Sequence, residues 1–266
     1  MRLDTGTGRL LVDLDGGVAQ VTFNNPDKHN ALGADMLAAL PPALAALQRD
    51  PEVRVVVLTG AGDRAFVSGA DISEFEERRT TPEGRSAYDQ AWTAVNRAWA
   101  DLDKPLLAMI RGYCIGGGLL TALRADIRVA AEGSQFGVPA ARLGLGYGYP
   151  GVKTLVDLVG PSWTAEILFS ARRLAADEAL RIGLVNRVVP ADRLEDEVRE
   201  LARSICANAP LTVAACRAAI REAVRDPDHR DLARVADLVE ACFRSEDYVE
   251  GQRAFREKRA PRFTGR

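Results

Sequence analysis

The spacing of apolar and polar positions changes character once along this chain. Between Leu10 and about Val189, short aliphatic and β-branched runs predict strands: "LLVDL", "VAQVTF", "VRVVVLTG", "PLLAMI" and "DIRVAA". The stretches between them carry helical periodicity, and strands alternating with helices are the pattern of an α/β core. From Leu194 onward the strand signals vanish, and the pattern predicts helices over 194–208, 212–224, 231–243 and 247–258, broken by "NAPLT" and "RDPDHR". The chain therefore divides into a core, 1–193, and a helical region, 194–266. No low-complexity linker separates them, so the helices are expected to pack on the core or on a neighbouring subunit. Pro41 and Pro42 fall inside the apolar run 31–47, where a kink or two short helices is expected.

Composition narrows the function classes. The chain has 266 residues, 47% hydrophobic and 27% charged, enough to bury a sizeable core. A formal net charge of -2 gives no broad basic field, which argues against nucleic acid as a partner. Cys114, Cys206, Cys216 and Cys242 show no CxxC spacing and sit in apolar stretches, as reduced thiols in a cytoplasmic protein would. With only His29 and His229, neither at ligand spacing from a Cys or His, no metal site is expected. The first residues place acids and glycines where a signal peptide needs an apolar segment, and no run approaches the roughly 18 apolar residues of a membrane span.

Candidate chemistry concentrates in two glycine-bearing segments, "DRAFVSGADISEF" and "RGYCIGGGLLTALRADI". Each follows a strand-like run and opens a helical one, leaving unpaired backbone N–H groups where the helix dipole favours negative charge. Asp71 and Glu74 have capping-box spacing, which starts a helix at Asp71 and leaves the Ala70 N–H just ahead of it. Taken singly, "SGAD" is also what any strand-to-helix turn looks like, and Gly116, Gly117 and Gly118 could simply permit close helix packing. The two junctions together fit an oxyanion hole.

The sequence resembles the crotonase, or enoyl-CoA hydratase/isomerase, superfamily. The resemblance runs over residues 10–263 and rests on "NNPDKHNAL", "AFVSGADI", "GYCIGGGLLTALRADIRVA", "FGVPAARLGL", "ARRLAADEALRIGLVNRVVP" and "EGQRAFREKRAPRF" in collinear order. It implies an α/β spiral of ββα units, a C-terminal helical trimerisation region, a homotrimer or a hexamer of two trimers, and an acyl-CoA thioester as substrate, with coenzyme A carried by the substrate rather than bound permanently. It maps the two N–H groups that stabilise a thioester enolate onto Ala70 and Gly117. It places Lys28 near the nucleotide phosphates, Ala70 and Ile72 along the pantetheine and adenine, and Phe255 and Lys258 at the adenine end of a neighbouring subunit's ligand. Lys28 and Lys258 as ordinary solvated charges remain the alternative.

This chain departs from the pattern where the family's hydratases hold water with two glutamates. The matching positions are Leu120 and Ala140, neither of which titrates, so the usual hydratase acid and base are missing. The loop 143–153 carries Tyr147 and Tyr149 as candidate proton-transfer groups, with packing as the alternative for both. Glu74, Glu76 and Glu77 follow the first donor; Glu77 with Arg78 reads as a solvated face. Tyr88 and Trp92 share a helix face that reads as core or acyl-pocket lining, and Asp126 reads as structural. Three functions fit. The first is an enzyme of this family in which isomerisation, decarboxylation or thioester hydrolysis replaces hydration. The others are a non-catalytic acyl-CoA binder and a structural subunit.

Overall fold

The structure is a computed structural model that describes residues 1–71 and 81–266. Strands β1 (Arg2–Leu3), β2 (Leu10–Asp15), β3 (Val18–Phe23), β4 (Val55–Gly60), β6 (Leu106–Ile110), β8 (Ile127–Ala131) and β11 (Arg187–Val189) form a seven-stranded sheet in the order β1-β2-β3-β4-β6-β8-β11. Its first three strands pair antiparallel and the rest parallel. Strands β5 (Ala65–Val67), β7 (Tyr113–Ile115), β9 (Gln135–Gly137) and β10 (Leu174–Ala175) form a second sheet in the order β10-β9-β7-β5. From β4 to β9 successive strands alternate between the two sheets as the chain advances, which is the spiral of ββα units expected.

Helix α1 (Ala34–Arg49) runs unbroken through Pro41 and Pro42. The expected split into two short helices is not there. Two prolines remove main-chain donors, but Met36, Leu37, Leu40, Ala43, Leu44 and Leu47 are all buried on the core side. Burying a side chain of Leu size contributes roughly 1.5–3 kcal/mol, so the packed face outweighs the roughly 3 kcal/mol that an interior proline typically costs. Helix α2 (Pro82–Asp101) packs beside α1, with Trp99 buried in the core and Tyr88 and Trp92 in edge-to-face contact, their ring centroids 6.2 Å apart.

The next helices are α3 (Gly117–Ala122), α4 (Tyr149–Ser170), broken at Gly160, and α5 (Ala176–Arg181). They are followed by α6 (Leu194–Cys206), α7 (Pro210–Ala223), α8 (Leu232–Arg244) and α9 (Glu246–Glu257), close to the bounds expected from periodicity. Helix α6 lays Leu194, Val198 and Ala202 over Val55, Val57, Leu107 and Met109, closing one face of the large sheet. Helix α8 buries no residue, and Leu232, Ala236, Val239 and Phe243 form an exposed stripe at helical spacing. Asp126 is structural, as expected: its carboxylate accepts the Leu106 N–H at 2.7 Å and the Arg217 Nε at 2.6 Å. All four cysteines are free. Among the described residues, no helix is long and apolar enough to cross a membrane.

Candidate active site

The two expected donors meet because their strands do. β5 and β7 are parallel neighbours, so their C-terminal ends lie side by side, and each turns immediately into a new direction. After β5, Gly69 takes φ 110, a conformation open mainly to glycine. Leu32 then bridges to Ala70: the Leu32 N–H donates to Gly69 O at 2.8 Å and the Asp71 N–H to Leu32 O at 3.0 Å. Successive N–H groups of an extended segment point to opposite sides. With its neighbours turned toward Leu32, the Ala70 N–H faces the other way.

What lies on that other side is the start of α3. Gly116 takes φ 57 and ψ -120, and Gly117 is the first helical residue, whose N–H has no partner within the helix. A Cβ on Gly117 would stand 3.7 Å from Ala70 N and 3.6 Å from Gly69 Cα, so the two main-chain segments are in contact. Gly118 fixes that approach, because a Cβ there would lie 1.9 Å from Val67 O. The glycine triplet therefore does both things the sequence left open: one glycine permits close packing, another presents a donor.

The third strand end supplies the wall. Gly116 N donates to Gly137 O at 2.8 Å, joining α3 to the end of β9, after which Pro139–Leu143 forms a 3-10 turn holding buried Ala140. Leu120 lies three residues after Gly117 on α3 and so shares its face. Its two methyl groups stand 3.4 and 3.5 Å from where a Cβ on Gly151 would sit, and the Tyr147 ring stands 3.5 Å from the same point. Leu120, Tyr147 and Gly151 thus form one surface. Burial pushes the Tyr147 hydroxyl up to about 12, keeping it protonated. That hydroxyl makes no hydrogen bond among the described residues. Tyr149 stands apart, 69% exposed at the start of α4.

Lys28 ends a 3-10 turn, Pro26–Lys28, and its Nζ donates to Asp71 Oδ2 at 2.7 Å. The ammonium is half exposed at the rim beside Ala70, while the carboxylate is buried. Sequence spacing hid this pair, since the residues are 43 apart. Glu74, Glu76, Glu77, Arg78 and Ile72, with the helix expected to start at Asp71, lie outside the described residues. Asn30 also escaped notice: fully buried, it accepts from Asn25 N and donates to Ala61 O and Ala65 O, tying the 3-10 turn to β5. Phe255 on α9 and Lys258 just after it are exposed and turned away from this chain's own core, Phe255 at 86%. The structure therefore groups Lys28, Ala70, Gly117, Leu120, Ala140 and Tyr147 at three neighbouring strand ends, and leaves Tyr149, Phe255 and Lys258 outside that group.

A charged oxygen seated between the Ala70 and Gly117 N–H groups would be met by donors fixed in advance by main-chain packing, the arrangement that stabilises an enolate or tetrahedral oxyanion. Comparison with known proteins gives the family. The profile of the enoyl-CoA hydratase/isomerase family matches residues 13–266. A short-chain-enoyl-CoA hydratase of Clostridium acetobutylicum is 38% identical over 94% of this chain and 95% of its own length. A crotonyl-CoA hydratase of Syntrophomonas wolfei is 35% identical over 96% and 97%. The crystal structure of an enoyl-CoA hydratase/carnithine racemase from Magnetospirillum magneticum superposes with a TM-score of 0.90 at 37% identity, covering 98% of this chain and 97% of that one. The strand-end donors, the two-sheet spiral and these matches over nearly the full length make this chain an enzyme of the enoyl-CoA hydratase/isomerase family.

Proposed function

We propose that this enzyme binds an acyl-CoA thioester, holds the thioester oxygen between the Ala70 and Gly117 N–H groups, and forms an enolate without adding water. The observation that carries this reading is the pairing of an oxyanion hole with a wall of Leu120, Ala140 and Tyr147. Hydration needs one group to activate water and another to protonate the α-carbon. Leucine and alanine supply neither, and a hydroxyl held protonated to about 12 is a proton donor rather than a base.

Decarboxylation of a carboxyacyl-CoA is the reaction this wall supports best. The bond from Cα to the carboxylate breaks, its electron pair moves into the thioester enolate, CO₂ leaves, and the Tyr147 hydroxyl protonates Cα before regaining its proton from water. No base is required. A carboxylate pressed against Leu120 and Ala140 loses hydration, whereas departing CO₂ carries no charge to solvate. Isomerisation needs a base to remove a proton, and thioester hydrolysis needs an activated water; the carboxylate beside these residues is that of Asp71, and it is engaged by the Lys28 ammonium at 2.7 Å.

The CoA moiety is read as lying along Ala70 and Ile72, with Lys28 near its phosphates. Phe255 and Lys258 come from a neighbouring subunit of a trimer or hexamer, and the stripe of Leu232, Ala236, Val239 and Phe243 on α8 supports that assembly. Free cysteines fit the cytoplasm. The test is a panel of carboxyacyl-, 2-enoyl-, 3-enoyl- and saturated acyl-CoA esters followed by mass spectrometry in deuterated water. Loss of CO₂ with one deuterium gained at Cα is expected, and Tyr147→Phe should slow it by about 10²–10⁴-fold. Hydration of 2-enoyl-CoA as the dominant turnover would overturn the reading.

A further inference from the structure

The nine residues after α9 do not trail into solvent. The chain reverses at Lys258, which takes the left-handed conformation, φ 53 and ψ 41, and runs back along the helix it has just left. Two buried carboxylates on α9 receive it. Glu250 Oε1 accepts the Arg262 N–H at 2.9 Å, and Asp247 accepts the N–H groups of Thr264 and Gly265 at 2.7 and 2.8 Å. The last residue closes the loop, its carbonyl accepting the Glu246 N–H at 2.6 Å.

The reversal itself is clamped from both sides of Lys258. Arg259 places its fork on both oxygens of Glu250, at 2.6 and 3.0 Å, and its Nε on Glu257 at 2.6 Å. Arg253 adds a further contact to Glu250 at 2.6 Å. A non-glycine residue held at positive φ persists only where its surroundings over-determine it, and here both neighbours of Lys258 are held by ion pairs. Lys258 itself makes no ion pair among the described residues, and its side chain is exposed, three residues after the exposed Phe255.

We infer that the Glu250–Arg259 clamp is a positioning device for a phosphate site: it fixes the left-handed turn that carries the exposed Lys258 ammonium, and so presents it to an anionic nucleotide held by a neighbouring copy of this chain. Glu250 acts through Lys258 and touches no ligand, so it is a positioning residue. The inference rests on the reading that Lys258 meets CoA.

The experiment compares KM and kcat for an acyl-CoA and for the same acyl group on pantetheine, which lacks the nucleotide. Glu250→Gln keeps an acceptor for the Arg262 N–H but loses the bidentate charge pair. It should raise KM for the acyl-CoA by about tenfold, the size of one weakened charge-assisted contact, with kcat and the pantetheine ester unchanged. Arg259→Lys, which keeps the charge and loses the fork, should give a smaller rise of the same kind and serves if Glu250→Gln folds poorly. Sedimentation of each variant shows that the assembly persists. If Lys258→Ala raises KM for the acyl-CoA and neither clamp variant does, the clamp is refuted while the CoA reading stands. If Lys258→Ala changes nothing, the CoA reading fails and the inference falls with it.

Discussion

In the proposed site, Ala70 and Gly117 act through main-chain N–H groups, whereas Leu120, Ala140 and Tyr147 act through side chains, and the two halves are held in place by different physics. The donor half is set by parallel strands ending side by side and by Gly118, where any Cβ would strike Val67 O at 1.9 Å. Its geometry is a property of the packed backbone, so it survives almost any change of neighbouring side chain. The wall half has no such protection. One substitution at Leu120 or Ala140 would alter what the pocket can protonate while the main-chain donors stay in place, which is how one scaffold carries several reactions.

The largest effect should come from rewriting the wall. Wild-type hydration of crotonyl-CoA is expected to be negligible, and Leu120→Glu with Ala140→Glu should raise it, since each acid–base group contributes about 10²–10⁴-fold. Ala140 is buried, so an introduced carboxylate there raises its own pKa and lowers stability. Circular dichroism and CoA affinity must therefore match the wild type before rates are compared. Hydration by the unmodified enzyme at an ordinary enzymatic rate, around 1–10³ per second, would mean the wall does not decide the reaction.

Next in size is the loss of one main-chain donor. Gly117→Pro removes the N–H at the first helical position, where proline is otherwise well tolerated. The added Cβ meets Gly69 Cα and Ala70 N at ordinary contact distance. Turnover should fall by about 10²–10³-fold, the usual effect of losing one such donor. Gly117→Ala adds a Cβ but keeps the N–H, and stopped-assay rates should show it much the less impaired. Equal losses in both variants would assign the effect to crowding and leave the hole without a catalytic role.

The two halves also differ in how far the sequence disclosed them. Glycines at strand-to-helix junctions are a local signal, because positive φ and close approach demand that residue type at that position; both junctions were legible, and the family resemblance assigned Ala70 and Gly117 within them. The wall depends on residues brought together from α3, the 3-10 turn and the start of α4. Nothing in the loop sequence separates Tyr147 from Tyr149, yet one joins the Leu120 surface and the other stands exposed. The Lys28–Asp71 pair and the Glu250–Arg259 clamp were hidden for the same reason: ion pairs made by folding leave no periodic trace. The continuity of α1 through two prolines shows the opposite failure, where a strong local rule lost to the burial of a whole helix face.

A smaller effect is expected at the nucleotide end, which completes neither half within one chain. Val239→Glu with Phe243→Glu would set charges into the α8 stripe, where wild-type Val239 and Phe243 are 43% and 57% exposed in the isolated chain. Analytical ultracentrifugation should show the wild type as a trimer or hexamer and the variant as a smaller species. KM for the acyl-CoA should rise about tenfold as the neighbour's contribution is lost, while main-chain donors and wall remain intact. A wild-type monomer with full affinity would place the whole site in one subunit.

The smallest effect concerns the proton of Tyr147, and it separates a donor from a base. Burial raises this hydroxyl from the ordinary tyrosine value to about 12. The folded protein therefore holds that proton more tightly than the unfolded chain does. The associated stability is fully present below the unfolded value near 10 and fades as pH rises toward 12. An ultraviolet titration of tyrosinate should show wild type and Tyr147→Phe superimposed through neutral and mildly alkaline pH, diverging by one tyrosine only at the alkaline end. Thermal melts should behave likewise, the difference between the two proteins staying constant below about pH 10. A tyrosine in Tyr147→Phe difference spectra that ionises near neutrality would make the wall a base, and a base beside the oxyanion hole would favour isomerisation over loss of CO₂.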